Sequence, residues 1–117
     1  MIPLTPATRI FLAAQAIDLR KSFEGLSDLV RHHIQQDPLS GHLYLFTNRR
    51  RNRVKLLYAD GSGLWVCTKR LLGRGTFAWP QTTAAGAVAV PAQELTLLLN
   101  GLDLAHTAER TWWRPAA

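Results

Sequence analysis

Apolar residues recur along this chain at two spacings, which predict both helices and strands. Between Phe23 and Ile34 they follow steps of three and four, so they form one stripe of a helix predicted over residues 22–36. A second stripe, made of leucines, predicts a helix over residues 91–100 that begins at Pro91. The rest of the pattern lacks this helical period.

Shorter apolar segments have the length and β preference of strands. They cover residues 9–14, 42–47, 53–58, 64–69, 76–79 and 87–90, with 76–79 expected as an edge strand closed by Pro80. Asn48-Arg49-Arg50-Arg51-Asn52 and Asp60-Gly61-Ser62-Gly63 have turn composition, so they connect three of the strands in an antiparallel meander. The predicted fold class is α+β, with a mostly antiparallel sheet of three to five strands packed by two helices.

Length and composition favour one domain. The chain has 117 residues, of which 47% are hydrophobic and 19% charged, a balance typical of a single soluble globular unit. We expect one domain over residues 1–102, followed by an irregular tail over 103–117 in which the pair Trp112-Trp113 contacts either the domain or a partner. No apolar stretch approaches the ~20 residues that cross a bilayer, and no secretory leader is evident, so we expect a cytoplasmic protein without membrane contact.

Cysteine and histidine give no sign of a metal or cofactor. Cys67 is the only cysteine, and its apolar surroundings predict a buried, unreactive side chain. The four histidines lack metal-ligand spacing, and no phosphate-binding loop or nucleophile motif is present. We therefore predict neither metal nor cofactor.

The positive charge is concentrated in one segment. The chain carries a net charge of +6, and the 26 residues from Arg49 to Arg74 alone carry +7. Arginines outnumber lysines eleven to three, and the guanidinium fork suits phosphates and base edges. The predicted nucleic-acid-binding residues are these cations and the one tryptophan between them: Arg49, Arg50, Arg51, Arg53, Lys55, Lys69, Arg70, Arg74 and Trp65.

The neighbouring aromatics have two explanations. Flat rings beside cations can stack on bases, but strand alternation requires one face of each strand to pack inward, so most of these rings are expected in the core. The arginines between Asn48 and Val54 differ, because burying such a cluster unpaired would cost more than a small fold can compensate. They are expected at an exposed hairpin tip, where they contact nucleic acid or solvent.

The eight carboxylates suggest no active site. A metal-dependent nuclease gathers two or three acids around Mg²⁺, whereas Asp37 and Asp60 look like turn residues and Asp18 looks like a helix cap. We predict a protein that is not an enzyme.

Several motifs in order resemble a known family, the TnpB accessory proteins of the insertion sequence 66 transposon group. The resemblance covers most of the chain and rests on residues 1–4, 8–10, 18–23, 25–26, 37–43, 46, 48–55, 60–64, 69–71 and 77–80. An unrelated, much larger RNA-guided nuclease shares the family's name. Ala59 and the stretch Leu72-Gly73-Arg74-Gly75 depart from the family's usual pattern.

The resemblance implies a mobile-element protein encoded beside a separate transposase and another small protein, and either needed for efficient transposition or assisting it. It supplies no catalytic residues. Together with the charge pattern it leads to the hypothesis of a non-catalytic accessory protein that binds transposon DNA through an arginine-rich hairpin. The alternative is an adaptor that recruits or holds the transposase through protein contacts. A third hypothesis, a cryptic nuclease, would need Asp18, Asp37 or Asp60.

Overall fold

Short strands and two α-helices alternate in the computed structural model, which describes residues 4–82 and 85–103, the last two by their backbone alone. In chain order the elements are β1 (Ile10–Ala13), α1 (Phe23–Leu29) continued by a π-helical turn (Val30–Ile34), β2 (Leu43–Thr47), β3 (Arg53–Ala59), β4 (Leu64–Arg70), β5 (Gly75–Thr76), β6 (Ala87–Val90), α2 (Ala92–Asn100) and β7 (Leu102–Asp103).

Five of the strands form one mixed sheet in the order β4-β3-β2-β1-β6. Only the β1–β2 pair is parallel, and the other three pairs are antiparallel. The predicted meander of three strands is present as β2-β3-β4. The α+β class with a mostly antiparallel sheet is thus confirmed.

The sheet is covered on both faces, because its central strands are apolar on both sides. Every residue of β2 is buried, with Leu43 and Leu45 on one face and Tyr44 and Phe46 on the other. One face packs against α1 and the π-helical turn, and the opposite face packs against α2. We call these the α1 face and the α2 face.

The predicted edge strand over residues 76–79 is wrong. Only Gly75–Thr76 is extended as a strand, and it pairs with β7 in a separate two-stranded ribbon. Phe77 and Trp79 are buried on the α2 face, where the indole N–H of Trp79 donates to the carbonyl of Ala13 at 2.8 Å. Large rings bury more apolar area as a cover over a sheet than they would on a two-sided edge. Pro80 thus closes a covering segment.

The predicted burial of Cys67 is also wrong. Cys67 lies in a strand, as expected, but its side chain is exposed, because β4 is an edge strand and none of the elements in residues 4–82 and 85–103 covers its α2 face at this point. An apolar sequence neighbourhood therefore did not indicate burial here. The exposure of Cys67 follows from the edge position of β4, which depends on the order of the whole sheet.

The first helix has a change of hydrogen bonding within it. The predicted range 22–36 is helical from Phe23 to Ile34, but its last five residues form the π-helical turn. Gln35 follows with a left-handed φ of 60°. The helix 91–100 is confirmed as α2, with Pro91 directly before its first residue.

Parts of the predicted organisation lie outside the described residues. These are most of the tail, from residue 104 onward and including Trp112-Trp113, and residues 83 and 84 of the loop before β6. The domain boundary near residue 102 remains a prediction. Within the described ranges, no helix is both long enough and apolar enough to cross a membrane.

Gly86 provides a test of how β6 is joined to the π-helical turn. Its φ is +83°, and a Cβ at this position would lie 2.7 Å from the carbonyl oxygen of His33. Gly61 also has a positive φ, +94°, but a Cβ there meets nothing within 4 Å. We expect Gly86→Ala to lower the free energy of unfolding by about 1–3 kcal/mol more than Gly61→Ala does, because only the first forces backbone apart. Urea denaturation of both variants measures the difference, and equal losses would contradict this close approach.

Candidate nucleic-acid interface

The loop between β2 and β3 is held in shape by two asparagines. The side-chain oxygen of Asn48 accepts the backbone N–H groups of Asn52 and Arg53 at 3.1 and 3.2 Å, and its amide donates to the Asn52 side chain at 2.7 Å. The N–H of Arg51 donates to the carbonyl of Asn48, which closes the turn, and Arg51 has a left-handed φ of 57°. The arginines are therefore presented by an ordered turn.

A second segment lies against this loop from outside. The N–H of Leu71 donates to the carbonyl of Asn52 at 2.9 Å, and the N–H of Phe77 donates to the carbonyl of Arg51 at 2.6 Å. The exposed Arg74 lies between these two attachment points, in a turn with Gly73 at φ +65°. Two basic stretches that are separate in the sequence thus meet at one end of the sheet.

Arg53 and Arg70 are directly opposite each other on β3 and β4. Opposite residues of an antiparallel pair project from the same face with Cβ atoms about 5 Å apart, and like charges in this arrangement destabilise a sheet. Both side chains are exposed. The sheet therefore holds two positive charges together at its end.

None of these cations is neutralised by a carboxylate within the described part of the chain. The two ion pairs found there join Arg20 to Asp18 and Arg31 to Asp28. We use the name arginine surface for the six arginines at this end of the sheet: Arg49, Arg50, Arg51, Arg53, Arg70 and Arg74. Arg51 is half-buried and the other five are exposed.

The two predicted lysines have a different environment. The amine of Lys55 donates to the carbonyl of Lys21 at 2.6 Å, in the segment that leads into α1. The amine of Lys69 donates to the carbonyl of Leu99 at 2.8 Å, in the last turn of α2. Each lysine therefore ties one helix to the sheet, on opposite faces, and Lys69 also places a positive charge at a helix C-terminus, where it is favourable.

Trp65 lies apart from the arginine surface. It is 54% exposed and lies on the α2 face, near the start of β4, with Tyr58 as its cross-strand neighbour. Arg70 is five positions further along the strand, which corresponds to about 17 Å. The structure therefore does not bring this predicted stacking residue together with the predicted phosphate-binding residues.

A carboxylate fixes the orientation of that tryptophan. The Trp65 indole N–H donates to one carboxylate oxygen of Asp60 at 2.7 Å, while the other oxygen accepts hydrogen bonds from Ser62 and Gly63. The bond from Trp65, followed by those from Ser62, lowers the pKa of Asp60 from 3.8 to about 2. Asp60 is the turn residue that the sequence predicted, with this added contact.

The three acids considered for a nuclease each serve their own loop. Asp18 binds Arg20, whose hydrogen bonds lower its pKa to about 2, and Asp37 accepts the N–H of Leu39 at 2.9 Å. Asp60 holds the turn before Trp65. Across residues 4–82 and 85–103, no group of three His, Cys, Asp or Glu side chains is placed to bind a metal ion.

Two features of the interface were not predicted from the sequence. One is the attachment of residues 71–77 to the loop, whose two hydrogen bonds join residues 19 and 26 positions apart and have no local signal. The other is the Asn48–Asn52 clamp, whose signal was the pair of asparagines that bracket the arginines, since asparagine side chains readily bond nearby backbone.

The fold and this surface define a small α+β protein with a concentrated arginine cluster at one end of its sheet, which no carboxylate of the described residues neutralises. The chain belongs to the IS66 Orf2-like family, whose model matches residues 8–109. Membership of this family suggests that the chain is an accessory protein of transposition, in agreement with the resemblance found in the sequence.

Two relatives come from Sinorhizobium fredii (strain NBRC 101917 / NGR234). The uncharacterized protein y4hO is 36% identical over 115 residues, covering 98% of this chain and 96% of its own length. The uncharacterized protein y4jC is 34% identical over 115 residues, covering 98% and 97%. No solved structure matches the chain significantly.

Asn48 gives a test of the loop clamp. Asn48→Ala removes the acceptor of two backbone N–H groups, so we expect the free energy of unfolding to fall by about 1–3 kcal/mol. We also expect faster amide hydrogen exchange at Asn52 and Arg53. Asn100→Ala, at the end of α2, is a control in which exchange at those two amides stays unchanged. Unaltered exchange in Asn48→Ala would show that the turn does not depend on its asparagine.

The Asp60–Trp65 contact predicts an acid transition. Because the pKa of Asp60 is about 2 in the folded protein and 3.8 ordinarily, the contact contributes stability above pH 4 that is lost as the pH falls from about 4 towards 2. We expect the fluorescence of Trp65 to change with a midpoint near pH 2. The signal is isolated by subtracting the titration of Trp65→Phe, and it should vanish in Asp60→Asn. A midpoint near 4 would contradict the contact.

Proposed function

We propose that this protein is a non-catalytic accessory factor of transposition that binds DNA through its arginine surface. The observation that carries the proposal is the cross-strand pair Arg53 and Arg70, which has no carboxylate beside it in the described chain. Such a pair lowers stability unless an anion lies over it. A nucleic-acid backbone supplies anions at the required density, about one charge per 1.7 Å of duplex.

The rigidity of the surface supports the same proposal. Asn48 holds the loop from within, and the N–H groups of Leu71 and Phe77 hold it from outside. Arginines on a preorganised turn lose less backbone freedom on binding than arginines on a mobile tail would. Guanidinium groups also form bidentate hydrogen bonds with phosphate, which suits a surface that grips backbone at several points.

The other predicted residues have secondary roles in this proposal. Lys55 and Lys69 add to the positive field while their amines bind backbone carbonyls, so their removal should affect folding as well as DNA affinity. Trp65 is too far from the arginine surface to stack on a base held there. We therefore assign phosphate binding to the arginines and leave Trp65 outside this contact.

The proposed partners are transposon DNA and, within the same transposition machinery, the separate transposase. A cytoplasmic location follows from this role as part of the proposal. A pull-down distinguishes the adaptor function from DNA binding. After nuclease treatment, an adaptor still retains the transposase. Retention that depends on Arg53 and Arg70 in the absence of DNA would favour the adaptor.

Salt dependence tests the proposed contact. If four to six arginines meet phosphates, the logarithm of the association constant should fall against the logarithm of salt concentration with a slope of about −4 to −5. Arg53→Ala with Arg70→Ala should weaken binding to transposon-end and scrambled duplexes alike and reduce the slope by about 2. Fluorescence anisotropy at several salt concentrations measures both quantities.

The matched control removes the same charge elsewhere. Arg9, directly before β1, and Arg31, which pairs with Asp28 on the π-helical turn, are exposed cations outside the arginine surface. Arg9→Ala with Arg31→Ala therefore changes the net charge equally and should leave the slope nearly unchanged. Equal effects of the two double variants would show that DNA affinity depends only on net charge and not on the arginine surface. No binding by the wild-type protein, even in dilute buffer, would overturn the proposal.

A further inference from the structure

The two edges of the main sheet are unequal. On one side the sheet ends in β6, which has four residues and is followed at once by Pro91, a residue without an N–H to donate. On the other side it ends in β4, which has seven residues and, within the described chain, pairs only with β3. A long unpaired edge is a template for another strand, and charged residues usually block it. In β4, the first five residues, Leu64–Thr68, are uncharged.

The register identifies which groups of β4 point outward. Backbone hydrogen bonds join Asp60 to Gly63 and Leu71 to Asn52, and these bonds continue the β3–β4 register. Hydrogen-bonded pairs alternate along an antiparallel ladder, so Trp65, Cys67 and Lys69 direct their N–H and C=O groups towards β3. Four residues are left with N–H and C=O groups directed outward: Leu64, Val66, Thr68 and Arg70.

We propose that β4 pairs with β4 of a second copy of this chain, antiparallel, across a two-fold axis at Cys67. In this register Val66 is opposite Thr68 of the second copy, and Leu64 is opposite Arg70 of the second copy. All four outward-directed residues then face one another in hydrogen-bonded pairs. The contact is isologous, as expected for a symmetric dimer, and it joins two five-stranded sheets into one.

Side chains on the α2 face fit the same register. Trp65, which is 54% exposed in one copy, would lie beside Lys69 of the second copy. A lysine beside an indole is a favourable cross-strand neighbour because its aliphatic stem can cover the ring, while the ammonium of Lys69 stays on the carbonyl of Leu99. Because Asp60 already accepts the indole N–H, the ring can be covered without leaving a buried donor unpaired.

The charges of the two strands also permit this register. The two copies of Arg70 are each three residues from the axis, which separates them by about 20 Å along the strands. That distance exceeds the screening length of about 8 Å at physiological salt. The centre of the contact contains Val66, Cys67 and Thr68, so like charges do not meet there.

Cys67 reports directly on the proposed axis. The two copies of Cys67 would form a non-hydrogen-bonded pair with Cα atoms about 4.5 Å apart, within the range that a disulfide spans. We expect the reduced protein to sediment at twice its chain mass of 13.1 kDa. Copper–phenanthroline, which accepts the two electrons while the two thiols lose their protons, should then convert most of the chains to a disulfide-linked dimer. Cys67→Ser should sediment as a dimer and fail to cross-link.

Charge reversal at the axis tests the register without oxidation. Cys67→Lys places two positive charges opposite each other and Cys67→Glu places two negative ones, so each variant alone should sediment as a monomer. Mixed in equal amounts, they should form a heterodimer, because each lysine then meets a glutamate. The side chain of Cys67 is exposed in a single copy, and circular dichroism of each variant checks that it is folded.

Three results would overturn the proposal. One is a monomer at every concentration, with the Val66 and Thr68 amides protected from hydrogen exchange, which would mean that another part of the same chain covers this edge. A second is a monomer with those amides exchanging freely. The third is a dimer that persists in both charged variants and does not cross-link through Cys67, which would place the contact elsewhere. DNA binding by the arginine surface is independent of all three results.

Discussion

Positive charge at one end of this protein is held together by backbone hydrogen bonds, and the candidate site depends on that constraint. The N–H groups of Leu71 and Phe77 donate to carbonyls of the loop between β2 and β3, so residues 70–74 cannot move away from Arg49–Arg53. The backbone bonds thus maintain an arrangement that electrostatic repulsion opposes. An anion from outside the described chain would relieve this repulsion, which is why we propose a polyanion as the partner.

The parts of the fold that the sequence predicted are those set by local pattern. The β2-β3-β4 meander follows from alternation interrupted by strong turns, and α2 follows from a leucine stripe between Pro91 and Gly101. The failures at residues 76–79 and at Cys67 have a shared cause. Whether an extended apolar segment lies on an edge, in the centre or over a face is decided by the order of the whole sheet.

For the candidate site, the sequence likewise showed which charges are present but not where the fold places them. The charge window from Arg49 to Arg74 was visible in the sequence, yet charge alone could not separate arginines that face solvent from lysines that hold helices. Lys55 and Lys69 reach backbone carbonyls 34 and 30 residues away along the chain. A flexible stem with a compact ammonium suits that task, whereas a guanidinium fork is better matched to phosphate. Charge and sequence proximity likewise did not show that Trp65 and Arg70 are about 17 Å apart along β4.

β4 contributes to both proposed surfaces without a conflict between them. Its last residue, Arg70, belongs to the arginine surface through its side chain, whereas edge pairing would use only its backbone N–H and C=O. A two-fold axis perpendicular to the joined sheet leaves the same face of each copy on the same side. Arg53 and Arg70 of both copies would then project from one common side, at two places separated along β4. Pairing through this edge would therefore place two arginine surfaces on one side of the joined sheet.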